Sequence, residues 1–451
     1  MIISGGKKVK KVLCVLFTLV VVLSLATCGG STKAKGSGSQ KTLTVWYWGE
    51  QEAPGYKAFM EEIVKRYEAK NPGVKVDAVL QESDTLASAF RTAEEAKAGP
   101  DVQFLWGGVF TLEEVWLDHL VPISDYISKE DLSDVFPSAL AETYWDGKQW
   151  GFPSYQLTFG VAYNKKMFAG AGIDPENPFR TWAEFINCCA KLKAAGYTPL
   201  GFGLKDGWLP GWLSFYLSQD NIDSINEFIA CFTGKARYSD PKYSEWLGRV
   251  KELSDRGFVN NDIQSLDFYQ GQQLLESEDA AITFHTNGYA ATLEKSMGAD
   301  TIGFTLPPIN GKGKLANTVV ACGQSYTIPK SAKDKKEAAK FILFLKEEDN
   351  LKLLYNEAHA LFPSTKFKQE WLDSEIDRKS FKWNSTLKNF ICQYFYPPMF
   401  EYEGIVPVVQ KMFSENLSPA LAAKELDETI TKWAEQDPNQ AAAFTKWVVP
   451  D

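Results

Sequence analysis

Thr42 to Trp48 is a β-branched and aromatic run closed by Gly49, which predicts a first strand. Tyr56, Phe59, Ile63 and Tyr67 then recur at helical spacing, and Asn71-Pro72-Gly73 ends that helix. Val74, Val76 and Ala78 alternate as a second strand, an alanine-rich helical stretch follows, and Pro100 to Trp106 reads as a third strand. This βαβαβ order predicts an open α/β sheet, in which ligands gather beyond the carboxyl ends of the strands. Asp146-Gly147 marks a turn before an extended run from Gln149 to Tyr163. Thr181-Trp182-Ala183-Glu184 is a capping box opening a helix whose apolar face is Phe185, Cys188, Cys189 and Leu192, ending at Gly196. Phe202-Gly203 reads as the end of another strand, with Asp206, Trp208 and Trp212 in a short loop after it. Asp334 caps a helix with Phe341, Ile342 and Leu345 inward. Ser418-Pro419 opens one with Ala422, Leu426, Ile430 and Trp433 inward. No internal repeat of 20–50 residues is visible.

The amino terminus has a different character. Lys7 to Lys11 is a basic cluster, and the apolar run from Val12 to Leu23 is short for a bilayer span, which needs about 20 residues. Leu25-Ala26-Thr27-Cys28 resembles a bacterial lipobox, although Thr27 departs from the small residue usual before the cysteine. Residues 1–27 are therefore expected to be a lipoprotein signal peptide, with Cys28 lipidated and residues 28–40 a Gly/Ser-rich tether. Such an anchor places the folded body on the outer face of the cytoplasmic membrane. The five remaining cysteines, Cys188, Cys189, Cys231, Cys322 and Cys392, are odd in number and lack C-x-x-C spacing, so they read as small buried hydrophobes.

At 451 residues with 45% hydrophobic composition, the chain has material for two or three compact units. Acids outnumber bases 57 to 48, and no basic face is offered to nucleic acid. Three histidines argue against a histidine-rich metal site, and no cofactor is implied. Hydrolase and nucleotide-binding motifs are missing: there is no G-x-S-x-G, no H-E-x-x-H and no G-x-x-x-x-G-K. Two carboxylates suffice for a glycosidase, however, so a secreted carbohydrate-active enzyme stays open as an alternative.

A string of short motifs runs in order along the chain. It comprises Leu43–Gly49, Asn71-Pro72 with Val74-Lys75-Val76, Pro100-Asp101-Val102, and Leu120-Val121-Pro122-Ile123 before Tyr126. It continues through Asp146-Gly147-Lys148, Gly151-Phe152-Pro153, Tyr163-Asn164-Lys165 and Thr181-Trp182. Ala280-Ala281-Ile282 with Asn287-Gly288, Gly303-Phe304 with Pro307-Pro308, and Ile328-Pro329-Lys330 before Ala338 to Phe341 complete it. In this order the string strongly resembles the extracellular solute-binding proteins of bacterial ABC importers, carbohydrate-type. The resemblance implies a two-lobed periplasmic-binding-protein fold with the ligand cleft between lobes joined by hinge crossings. The crossings fall near Tyr155–Leu157, Ala321–Gln324 and Leu361–Pro363. One lobe would then hold residues 41–156 and 322–360, the other 157–321 and 361–451. It implies no enzymatic activity, a monomer, a carbohydrate ligand (an oligosaccharide), and permease subunits of an ABC importer as partners. A polyamine or glycerol phosphate is the alternative ligand.

Sugars present apolar ring faces and a rim of hydroxyls, so their sites pair flat aromatics with carboxylates and amides. The strand ends of the first lobe offer Trp48, Glu50, Glu82, Asp84 and Trp106, while Trp46 and Asp101 read as structural. The second lobe offers Asp206, Trp208 and Trp212. Asn287 and Tyr289 match a position where relatives carry a ligand-facing tryptophan; here Tyr289 replaces it and adds a hydroxyl. Gln324, at the second crossing, and Tyr402 complete the candidates.

Overall fold

The computed structural model describes residues 40–83, 85–387, 389, 390 and 393–450, with the side chains of 322, 389, 390 and 393 excepted. The expected signal peptide, Cys28, most of the expected tether and Asp84 lie outside the described residues. β1 (Lys41–Tyr47) buries Leu43, Val45 and Tyr47 on one face, as its alternation predicts. Helix α1 (Tyr56–Lys70) buries Tyr56, Phe59, Met60, Ile63 and Tyr67 and leads to β2 (Val74–Leu80). β3 (Val102–Trp106) follows, with α2 (Val109–Trp116) after it. β1 pairs in parallel with both β2 and β3.

The longest strand is β4 (Phe152–Asn164), all thirteen residues of which are buried. Helix α3 (Trp182–Ala194) starts on the expected capping box, Thr181 Oγ1 accepting from Glu184 N and Glu184 reaching back to the Thr181 amide. β5 is short, Thr198–Leu200, so Phe202-Gly203 falls beyond it rather than at its end. The expected loop after Gly203 is also largely helix: α4 spans Trp208–Leu217. β6 (Ala280–Thr286), α5 (Asn287–Met297), β7 (Ile302–Thr305), β8 (Val319–Pro329) and α6 (Glu375–Thr386) complete the elements that place the site.

These strands belong to one ten-stranded sheet, ordered β2-β1-β3-β8-β4-β6-β5, with β7 on the other edge of β4. β8 is antiparallel to β3 through Gln324–Thr327 and to β4 through Val320–Tyr326, with a bulge between Gly323 and Ser325. The two ends of the sheet are therefore stitched by the long pair β4/β8. Gln156 lies opposite Gly323 and donates its backbone N–H to Leu361 O at 2.7 Å, so the three expected crossing positions lie side by side. The Asp334 and Ser418 caps form as expected, accepting from Glu337 N and Leu421 N. Cys188, Cys189 and Cys231 are buried free thiols, and burial pushes each thiol above its usual range. Among the described residues no helix is long and apolar enough to cross a membrane.

Candidate functional site

β1 and β3 end side by side, and each delivers a tryptophan. Trp48 is 4% exposed; its Nε1 donates to Ser83 Oγ at 2.9 Å, and its ring meets Trp106 edge-to-face at 5.4 Å. Trp106 is the half-buried member and also packs on Phe110. Trp48 thus holds the plate that Trp106 presents. Glu50 faces elsewhere: its carboxylate accepts from Gly55 N at 3.1 Å and Lys57 N at 2.7 Å, completing the free donors at the start of α1. Gly55 is needed there, since its φ is +101° and a Cβ would collide with the Glu357 carbonyl. Glu82 is exposed beyond β2. Asp101 is structural, accepting from Thr44 N and Lys333 N.

The acid that faces inward from the β1 loop is Glu52, which no local sequence signal distinguishes from Glu50. Its Oε2 accepts from Gln324 Nε2 at 2.9 Å and from Tyr155 OH at 3.4 Å. Burial pushes its carboxyl up to about 7, against the lowering effect of those two donors. A Cβ on Gly288, in the first turn of α5, would stand 3.6 Å from Glu52 O, so α5 comes up against this loop. Tyr269, although 46% exposed, has its phenol pushed up to about 12, by burial first and then by the carboxylates of Glu52 and Asp206. Glu52 therefore marks a convergence of the β1 loop, β4, β8, the start of α5 and Tyr269.

From the other end of the sheet, Asp206 accepts from Phe268 N at 3.2 Å, and burial raises its carboxyl. Trp208 begins α4 half-buried. Tyr402 is 55% exposed, and its ring lies 3.9 Å from where a Cβ of Gly207 would be, so it stands at the entrance to that helix. Trp212, one turn further, is 6% exposed and enclosed by rings: Phe268 at 4.6 Å, Phe159 at 4.8 Å and His285 at 5.6 Å. His285 is kept neutral by burial, which lowers it to about 3, and it stacks on Tyr289 at 3.9 Å. Tyr289 spends its hydroxyl on Gln272 O at 3.2 Å. Asn287 is fully buried and bridges Thr158 N and Asp377 Oδ1, each at 2.8 Å, tying α5 to β4 and α6.

The structure thus brings Trp48, Trp106, Gln324 and Glu52 together, and gathers Asp206, Trp208 and Tyr402 around the start of α4. Glu50, Trp212 and Asn287 are engaged by the framework. Among the described residues, no cluster of His, Cys, Asp and Glu could hold a metal ion.

Residues 49–352 match the family model described as bacterial extracellular solute-binding protein. The chain belongs to that family. Within it, the chain is 26% identical over 388 residues to a maltooligosaccharide ABC transporter solute-binding lipoprotein of Streptococcus pneumoniae (strain ATCC BAA-255 / R6), covering 80% of this chain and 82% of the relative. It is 24% identical over 344 residues to the sn-glycerol-3-phosphate-binding periplasmic protein of Escherichia coli (strain K12), covering 69% and 72%. A solved chitin oligosaccharide binding protein superposes with a TM-score of 0.76 at 22% identity, covering 88% of this chain and 99% of that one. The fold is that of the periplasmic solute-binding proteins, as the motif string implies.

Proposed function

We propose that this solute-binding protein captures a neutral carbohydrate, an oligosaccharide, between two lobes and hands it to the permease of an ABC importer while tethered to the membrane through lipidated Cys28. The lobes are residues 41–156 with 322–360, and 157–321 with 361–451, hinged where β4, β8 and the Leu361 segment run together. The observation that carries the reading is the meeting of the Trp48–Trp106 pair with the Glu52–Gln324 pair. An aromatic plate beside a carboxylate and an amide suits a ring with an apolar face and a hydroxyl rim. The same chemistry weighs against glycerol phosphate, since a phosphate calls for basic donors and the residues gathered here are aromatics, carboxylates and an amide. Acids and aromatics also suit a polyamine, which is the second reading.

Thermal-shift measurement with maltotriose, xylotriose, triacetylchitotriose, spermidine and glycerol 3-phosphate separates these. We expect a trisaccharide to raise the melting temperature, with an affinity that barely changes between low and physiological salt. A response to spermidine alone, weakening with salt, transfers the assignment to the polyamine; an overnight incubation that consumes the sugar makes the protein an enzyme. For the anchor, Cys28→Ser should release the protein from membranes and leave sugar affinity unchanged. Wild-type protein recovered from the medium with Met1 intact would contradict lipidation.

A further inference from the structure

Near its end the chain returns to the first lobe. With the lobes as proposed above, α7 (Pro419–Gln436) lies in the second, and α8 (Pro438–Phe444) turns from it onto α2 of the first. Gln440 is the polar bridge: its Nε2 donates to Glu113 Oε1 at 2.6 Å, and its Oε1 accepts from Trp433 Nε1 of α7. Arg91 Nη2 donates to the other oxygen of Glu113 at 2.7 Å, so the first lobe fixes that acceptor. Beside the bridge Phe444, fully buried, packs on Trp433 at 5.1 Å and on Trp116 at 5.4 Å. Trp447 adds a second ring, 6.3 Å from Trp116 and 5.2 Å from Phe395. The tail is then fastened to the second lobe, where Asn226 exchanges hydrogen bonds of 2.9 and 3.0 Å with the backbone of Val449. Helix α2 connects these contacts to the site. In its first turn Phe110 packs on Trp106 at 5.9 Å and on Tyr394 of the second lobe at 6.0 Å.

Contacts of this kind select one arrangement of the lobes. A gap of about 1 Å already forfeits up to half of the dispersion energy between packed groups, and a hydrogen bond weakens as steeply. None of the three crossing segments takes part in the contact, so rotation about the hinge cannot preserve it in every arrangement. It is made here, where the start of α5 in the second lobe stands against the Glu52 loop of the first. We propose that α8 and the tail after it form a clasp that stabilises the lobes in the arrangement that holds ligand. A ligand shifts a hinge equilibrium only by its differential affinity for the two states, and a clasp made in one state adds to that difference. Its effect falls on release, since ligand enters before the lobes close. This rests on the hinged two-lobe reading and goes beyond it, whichever ligand fills the cleft.

The test compares the full chain with Gln440→Ala, which removes the polar bridge, and Phe444→Ala, which removes the shared ring. By small-angle X-ray scattering, both ligand-free variants should have a larger radius of gyration than wild type. Stopped-flow binding then uses whichever of maltotriose, xylotriose or triacetylchitotriose binds. We expect a Kd at least fivefold weaker in the variants, carried by faster dissociation, with association within twofold of wild type. Saturating sugar should bring all three proteins to one radius. Variants with the dimensions and affinity of wild type would make α8 a structural part of the second lobe and overturn the proposal, as would tighter binding. If Phe444→Ala does not fold, Gln440→Glu, which sets a carboxylate against Glu113, is read in its place. Wild type that keeps its radius when saturated would overturn the hinged-lobe reading itself. If none of the three sugars binds wild type, the carbohydrate reading fails and the ligand-free radii alone decide the clasp.

Discussion

Trp212→Ala should lower the free energy of unfolding by about 3–5 kcal/mol, the usual cost of emptying a large aromatic from a core. The residue is 6% exposed and packs on Phe159, Phe215, Tyr216, Phe268 and His285. That cluster joins α4 to β4 and β6, and neighbouring side chains cannot fill the void without moving three elements. Trp208→Ala, four residues earlier, should behave oppositely. Trp208 is half-buried at the first turn of α4, beside Asp206 and Tyr402, so its loss should cost about 1 kcal/mol of stability. Sugar affinity should fall at least tenfold, as for a hot-spot aromatic. Urea denaturation paired with calorimetry reads both. A Trp208→Ala protein with wild-type affinity would remove that residue from the site, and a Trp212→Ala protein of wild-type stability would refute the core assignment.

That contrast also shows what could be read from the chain alone. Local signals were legible because their physics is local: the Thr181–Glu184 box, the Ser418-Pro419 start and the buried face of α1 all form as their spacing predicts. Trp212 lies in α4 rather than in the expected loop: Leu209, Trp212, Leu213 and Tyr216 repeat at helical spacing, a signal that Gly207, Pro210 and Gly211 obscure. Glu50 and Glu52 share one loop, and nothing local says which turns inward. Glu50 is claimed by the amides of α1, while Glu52 is defined by Gln324, which lies 272 residues away. The ends of β1 and β3 are legible in the sequence, whereas that of β5 is not; which acids beside them turn inward depends on the strands that cross there.

Glu52 should make the ligand-free protein less stable as pH rises from about 4.5 to 7. Below the ordinary carboxyl value of 4.5 both states hold the proton and burial carries no ionic cost. Between 4.5 and about 7 the unfolded chain releases it while the folded protein keeps it, so the unfolded state gains. At about 1.4 kcal/mol per pH unit, the cost approaches 3 kcal/mol by neutral pH and is constant above it. Glu52→Gln keeps an oxygen to accept from Gln324 Nε2 and Tyr155 OH but does not titrate. The variant should match wild type near pH 4.5 and exceed its stability at pH 8. Asp206, Glu142 and Asp377 are also raised by burial, so the absolute slope belongs to several groups, and the difference between the two proteins isolates Glu52. Sugar should reverse the sign of the effect: hydroxyls that donate to the Glu52 carboxylate favour its ionised form, so wild type should bind more tightly at pH 8 than at pH 5. Glu52→Gln should bind weakly with no such trend. Equal stability differences at both pH values would show that Glu52 does not retain its proton in the fold, and parallel pH profiles of affinity would place the ligand elsewhere.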